Sequence, residues 1–151
     1  MKKILALSAA LMLSLGAFAQ IETPVKWAYA AKRTSPAEAT VFIKATIEDG
    51  WHVYSQYVPE GGPIKTSFTF APSKGYSLVG KPVEPKADSK FDKQFKMNIG
   101  FFEKEVVFQQ KVKLKSTNAA TVKGQLTYMV CNDRRCLPPE DVTFSVPVPV
   151  K

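Results

Sequence analysis

The chain has 151 residues, of which 45% are hydrophobic and 23% charged, with a formal net charge of +8 and only two cysteines. That length suits one domain, with a core large enough to stand without cross-links. The lysines are dispersed among apolar residues rather than clustered, which describes solvated strand faces and argues against nucleic acid as a partner; an acidic partner surface is the most that the charge supports.

Lys2 and Lys3 open a short basic start, and Ile4 to Phe18 is almost wholly apolar or small. Ala17-Phe18-Ala19 is an A-x-A cleavage site, so residues 1–19 are predicted to be a secretory signal peptide, cut before Gln20. No cysteine sits at the cut, which argues against a lipid anchor. No later stretch approaches 18 apolar residues, so stable membrane insertion is not expected. The expected mature chain is one domain over residues 20–151, periplasmic or otherwise exported and soluble, and cleavage lowers the formal charge from +8 to +6. In such a compartment disulfides persist.

Period-2 alternation dominates the rest and predicts half-buried strands. Strands are expected near Val25–Ala31, then in VFIKATI, where Val41, Ile43, Ala45 and Ile47 share one face. Trp51–Tyr57 and Ser67–Phe70 follow. Lys81 to Phe95 is charged, carries two prolines and lacks a period, so a long loop is expected there, and such loops often carry function. In VVFQQKVKLK, Val106, Phe108, Val112 and Leu114 share a face. In TVKGQLTYMV, Val122, Leu126, Tyr128 and Val130 oppose Lys123, Gln125, Thr127 and Met129. The last strand alternates Val142, Phe144, Val146 and Val148. Turn residues punctuate the runs, among them Asp49-Gly50 and Gly61-Gly62-Pro63. No helix of ten or more residues is expected. Seven or more short strands read as an all-β, immunoglobulin-like antiparallel β-sandwich.

The two cysteines stand in YMVCNDRRCLPPED as Cys131 and Cys136. If residues 122–130 and 137–148 form a hairpin, the loop Asn132 to Arg135 sets the cysteines opposite each other, at a separation a disulfide can bridge. Regular pairing cannot continue beyond them. It would set Leu126, on the buried face, against Asp141. A one-residue slip is required, and Pro138-Pro139 is where a bulge would supply it. The cysteines are then expected at an irregular sheet end, open to another protein. A bridge closing so short a loop restricts the unfolded chain by only about 2 kcal/mol. Arg134 and Arg135 place positive charge where it favours thiolate over thiol. Spacing and charge leave a redox centre and a structural staple both open, with a metal site the weakest of the three. Two cysteines without paired histidines fall short of a zinc set. Met129 shares a face with Cys131 and soft ligands suit copper(I), but a methionine beside a core is ordinarily packing, and no metal site is assigned. His52, the only histidine, is read as structural; it could serve as a base only if the fold brought it to the thiols.

VCNDRRCLPPED resembles the cysteine hairpin of the N-terminal periplasmic domain of DsbD, the thiol:disulfide interchange protein. Ile47 to Tyr54, Glu60-Gly61-Gly62-Pro63 and Thr66 resemble that family's early strands, and FDKQFKMNIGFFEKEVVF resembles the stretch carrying its cap loop. The likeness covers nearly the whole mature chain. It implies an immunoglobulin-like domain that relays electrons by thiol–disulfide exchange without a cofactor. A membrane-bound or thioredoxin-like donor reduces the disulfide, and exported thiol–disulfide oxidoreductases accept the electrons. Carried over by position, Cys136 forms mixed disulfides, Cys131 resolves them, and Phe95 is the cap aromatic shielding the sulfurs. The four-residue loop between the cysteines is slightly shorter than in better-known members. Because the chain ends at Lys151, the expected donor is a separate polypeptide. The rival expectation is a non-enzymatic secreted β-sandwich that binds a partner and carries a structural hairpin disulfide.

Overall fold

The alternating runs become the strands of the core. A computed structural model of the protein, which describes residues 22–150, contains eleven strands and, among the described residues, no helix. The expected signal peptide, residues 1–19, lies outside the described residues. The strands are β1 (Val25–Ser35), β2 (Glu38–Ile47), β3 (Trp51–Tyr54), β4 (Ser67–Phe70), β5 (Tyr76–Val83), β6 (Asp88–Asp92), β7 (Met97–Phe102), β8 (Glu105–Leu114), β9 (Ala120–Tyr128), β10 (Val130–Asn132) and β11 (Glu140–Val148).

They form three antiparallel sheets, ordered β1-β2-β8-β5, β10-β3-β7-β6 and β11-β9-β4. The first sheet supplies Val41, Ile43, Phe108 and Val112 to the core. The third supplies Val122, Leu126, Phe144 and Val146, and the second adds Val53, Phe102 and Val130. Every face named from the sequence alternation points inward as expected, because one phase of each strand must leave water; each such side chain contributes roughly 1.5–3 kcal/mol on burial. The result is an immunoglobulin-like β-sandwich whose second layer is split in two.

The split follows from one strand. The run expected as a single strand from Val122 to Val130 breaks at Met129. Before the break β9 pairs with β11 and β4; after it β10 pairs with β3. One segment thus serves two sheets, as strands do at sandwich corners.

The Lys81–Phe95 segment is not a long loop. Its start completes β5, Asp88–Asp92 is β6, and only a four-residue turn precedes β7. Alternation is faint there because β5 and β6 are edge strands exposed over most of their length. The turn is built by Asp92, whose Oδ1 accepts hydrogen bonds from the backbone N–H of Gln94 (2.8 Å) and Phe95 (3.1 Å). Lys96 closes it at φ 55°. Glu84 anchors the approach: its carboxylate accepts from Ser55 Oγ and from the Gln56 backbone N–H (2.9 Å).

The expected register slip is present. Leu137 N–H donates to Val130 O at 3.0 Å, so regular pairing would set Tyr128 against Pro139. Tyr128 instead lies opposite Glu140, and Val142 opposite Leu126. One residue is inserted across Pro138-Pro139, where neither proline can donate to the ladder.

Candidate functional site

Cys131 and Cys136 are joined by a disulfide, with Cα atoms 4.0 Å apart. Local pairing explains the approach. Hydrogen bonds from Asn132 N–H to Arg135 O (2.9 Å) and from Leu137 N–H to Val130 O flank the pair. The cysteines therefore occupy the non-hydrogen-bonded position between them, where opposed Cα atoms come closest. Asn132 shapes the loop: its Oδ1 accepts from the backbone N–H of both Arg134 and Arg135, at 2.9 Å each.

The cysteines are not at a frayed sheet end, as the sequence led us to expect. β10 hydrogen-bonds to β3 on its other edge, with Cys131 opposite His52 and Asn132 opposite Trp51. Cys131 is 1% exposed. Consecutive residues of β10 face opposite sides of the sheet. Val130 joins the main core, whereas Cys131 joins a second cluster with Tyr54, Ile99 and Phe101. This outer cluster is completed by Val58, Phe95, Met97, Met129 and Cys136. Met129 thus packs beside Cys131, as expected. Cys136 remains half-buried, so the two sulfurs have unequal access to solvent.

An open cavity of about 380 Å³ lies against the disulfide, walled by His52 and Tyr54, by β6 and its turn (residues 90–94), and by the whole 131–136 hairpin. Arg134 and Arg135 both stand on its wall and are exposed. Arg135 is engaged in an ion pair with Glu22. Lys90 Nζ lies 4.7 Å over the Phe101 ring and 3.9 Å from Asp133 Oδ1, linking β6 to the cysteine hairpin. Phe95 packs, half-buried, against the cluster that contains Cys131. Phe91, which the sequence did not single out, lines the cavity and is 60% exposed.

His52 is the residue whose position the sequence least foretold. It is 4% exposed, its ring meets Tyr54 and Phe101 edge-on, and its Nε2 lies 3.3 Å from Tyr54 Oη. Burial lowers its pKa to about 4; Lys90 pushes the same way, and Asp133 and Asp92 oppose. The imidazole is neutral at physiological pH. Burial, aided by Asp92, pushes the Tyr54 phenol up to about 12.

A disulfide walled by a neutral imidazole, with one sulfur sealed and one half-open, is an arrangement in which exchange at sulfur needs only thiolate and access. The sequence profile of the family described as thiol:disulfide interchange protein DsbD, N-terminal, matches residues 21–147. The chain belongs to that family. No curated protein matches it in sequence. Among solved structures it is similar to the N-terminal periplasmic domain of ScsB from Proteus mirabilis (19% identity, TM-score 0.62), covering 83% of this chain and 47% of that one. It spans about half that chain's length. It is also similar to the reduced DsbD N-terminal domain of Neisseria meningitidis (22% identity, TM-score 0.50; 78% and 82% covered). A complex of the DsbD and PilB N-terminal domains from Neisseria meningitidis is similar too (20% identity, TM-score 0.55; 83% and 87% covered). At these identities the structural likenesses establish the shared fold. The chain thus has the fold of that family, with Cys131 and Cys136 joined in its cysteine hairpin.

Proposed function

We propose that this protein is an exported redox relay: a membrane-bound or thioredoxin-like donor reduces the Cys131–Cys136 disulfide, and the resulting dithiol reduces exported thiol–disulfide oxidoreductases. In this account residues 1–19 are a cleaved signal, residues 20–151 form the single working domain, and its place is the periplasm. Among the described residues no helix is long and apolar enough to cross a membrane. Membership of the interchange family supports the chemistry, and the Neisseria DsbD–PilB complex supports partners that dock on such domains.

The unequal exposure of the two sulfurs carries the assignment of roles. Cys136, half-buried on the cavity wall, is the sulfur a partner reaches. Its thiolate attacks one sulfur of the partner's disulfide; a Cys136–partner bond forms and the other partner sulfur leaves as thiolate. Cys131, sealed beneath, then attacks Cys136 Sγ. The intramolecular disulfide reforms and the partner leaves as dithiol. Two electrons pass to the partner and no cofactor is needed. Arg134 and Arg135, on the same wall, favour the thiolate forms. Phe95 caps the cluster around Cys131 until a partner arrives.

Cysteine replacement tests these roles. With a thioredoxin-like partner, Cys136→Ser abolishes mixed-disulfide formation, whereas Cys131→Ser lets trapped complexes accumulate. Undiminished trapping in Cys136→Ser would overturn the assignment.

A further inference from the structure

His52 stands directly across the β10–β3 ladder from Cys131, and the two line the same cavity. Cross-strand neighbours on one face have Cβ atoms about 4.5–5.5 Å apart, a separation that side chains of this size span. We propose that His52, held by Tyr54, is the proton acceptor for Cys131 in the resolving step of disulfide exchange. This rests on the relay described above and assigns a role within it.

The chemistry requires such a group. A thiol only 1% exposed pays a desolvation cost to become thiolate, and little solvent reaches it to take its proton. The groups around His52 are Tyr54 on its own strand, Phe101 on β7, Lys90 and Asp92 on β6, and Cys131 with Asp133 on the cysteine hairpin. Among these the ring is the base that is neutral and buried beside the sulfur. Nε2 is engaged with Tyr54 Oη at 3.3 Å; in the tautomer in which Nε2–H donates to that oxygen, the Nδ1 lone pair is free for the thiol proton. Burial and Lys90 lower its proton affinity; a thiolate beside the ring raises that affinity as the proton moves across. Cys131 gives its proton to Nδ1 and attacks Cys136 Sγ. The Cys131–Cys136 bond forms, the bond from Cys136 to the partner breaks, and the partner sulfur departs as thiolate. The imidazolium then releases the proton to that thiolate or to water. Tyr54 is the positioning residue that holds the ring in place.

Stopped-flow reaction of the reduced full-length protein with one equivalent of 5,5′-dithiobis(2-nitrobenzoate) separates the two steps. Attack by Cys136 releases the first coloured thiolate and closure by Cys131 the second. In the parent the second phase is expected to be flat from about pH 5.5 to about pH 8, the mark of an internal base already deprotonated. In His52→Gln the first phase should stay within about twofold. The second should slow by about tenfold or more at neutral pH and climb about tenfold per pH unit, as free thiolate formation dictates. Tyr54→Phe should slow the second phase less. A second phase unchanged in rate and pH profile in His52→Gln overturns the assignment. So does a parent profile that already climbs tenfold per unit, which decides the matter even if the variant does not fold. Absence of the first phase in the parent would instead overturn the relay itself.

Discussion

His52 shows how much of this site depends on single side chains. Its folded-state pKa of about 4 lies below the ordinary 6.5. As pH falls, the unfolded chain therefore takes up the proton first. The stability tied to the neutral ring is complete above about pH 6.5 and is lost as pH falls toward about 4, a span worth on the order of 3 kcal/mol. The stability advantage of the parent over His52→Gln should shrink by that amount between about pH 7 and about pH 4, measured by urea unfolding at each pH. An advantage that does not change with pH would show that the ring's neutrality contributes nothing to folding. The alternation of Trp51-His52-Val53-Tyr54 already sets His52 and Tyr54 on one face. Their nearness to the sulfurs was not legible, because it arises from a cross-strand pairing far along the chain. The exposure difference between Cys131 and Cys136 was hidden for the same reason: it needs β3 on the far side of β10.

At the scale of elements, most strands were legible, the short β3 and β4 among them, but β5, β6 and β7 were not. β2, β8, β9 and β11 each bury one face, so period 2 is written into them. β6 and the end of β5, from Lys81, are largely exposed and read as a loop, while β7 ends in Ile99, Phe101 and Phe102, which are buried on opposite sides. The strand switch at Met129 was equally silent, since alternation runs straight through to Val130. Two substitutions probe these elements. Gly124 lies between β4 and β11, where an added Cβ would sit 2.5 Å from Thr69 O and 2.6 Å from the Phe144 ring. Backbone cannot move aside cheaply, so Gly124→Ala should destabilise the fold by about 1–3 kcal/mol in denaturant titration. Tolerance without loss would mean that β9 and its neighbours shift freely. The second is Phe95→Ala in the β6–β7 turn. It opens one side of the outer cluster and should speed alkylation of the reduced protein by iodoacetamide; equal rates in variant and parent would remove Phe95 from the shielding of the sulfurs.

For the molecule as a whole, two apolar clusters on opposite faces of one sheet divide the work. The main core spans all three sheets and contains neither cysteine. The outer cluster holds the disulfide against the back of the β10-β3-β7-β6 sheet, beside an open cavity. Breaking the bond should therefore leave the sandwich folded, because the loop it closes is short and its hairpin is tied to β3 by backbone hydrogen bonds. The most direct measurement is the reduction potential of the Cys131–Cys136 pair, equilibrated against thioredoxin, together with melting curves of both redox forms. The relay predicts a potential above about −300 mV, within reach of thioredoxin-like proteins, and closely similar melting of the two forms. A potential below that value, with a marked loss of stability on reduction, would make the bridge a structural staple and contradict the account.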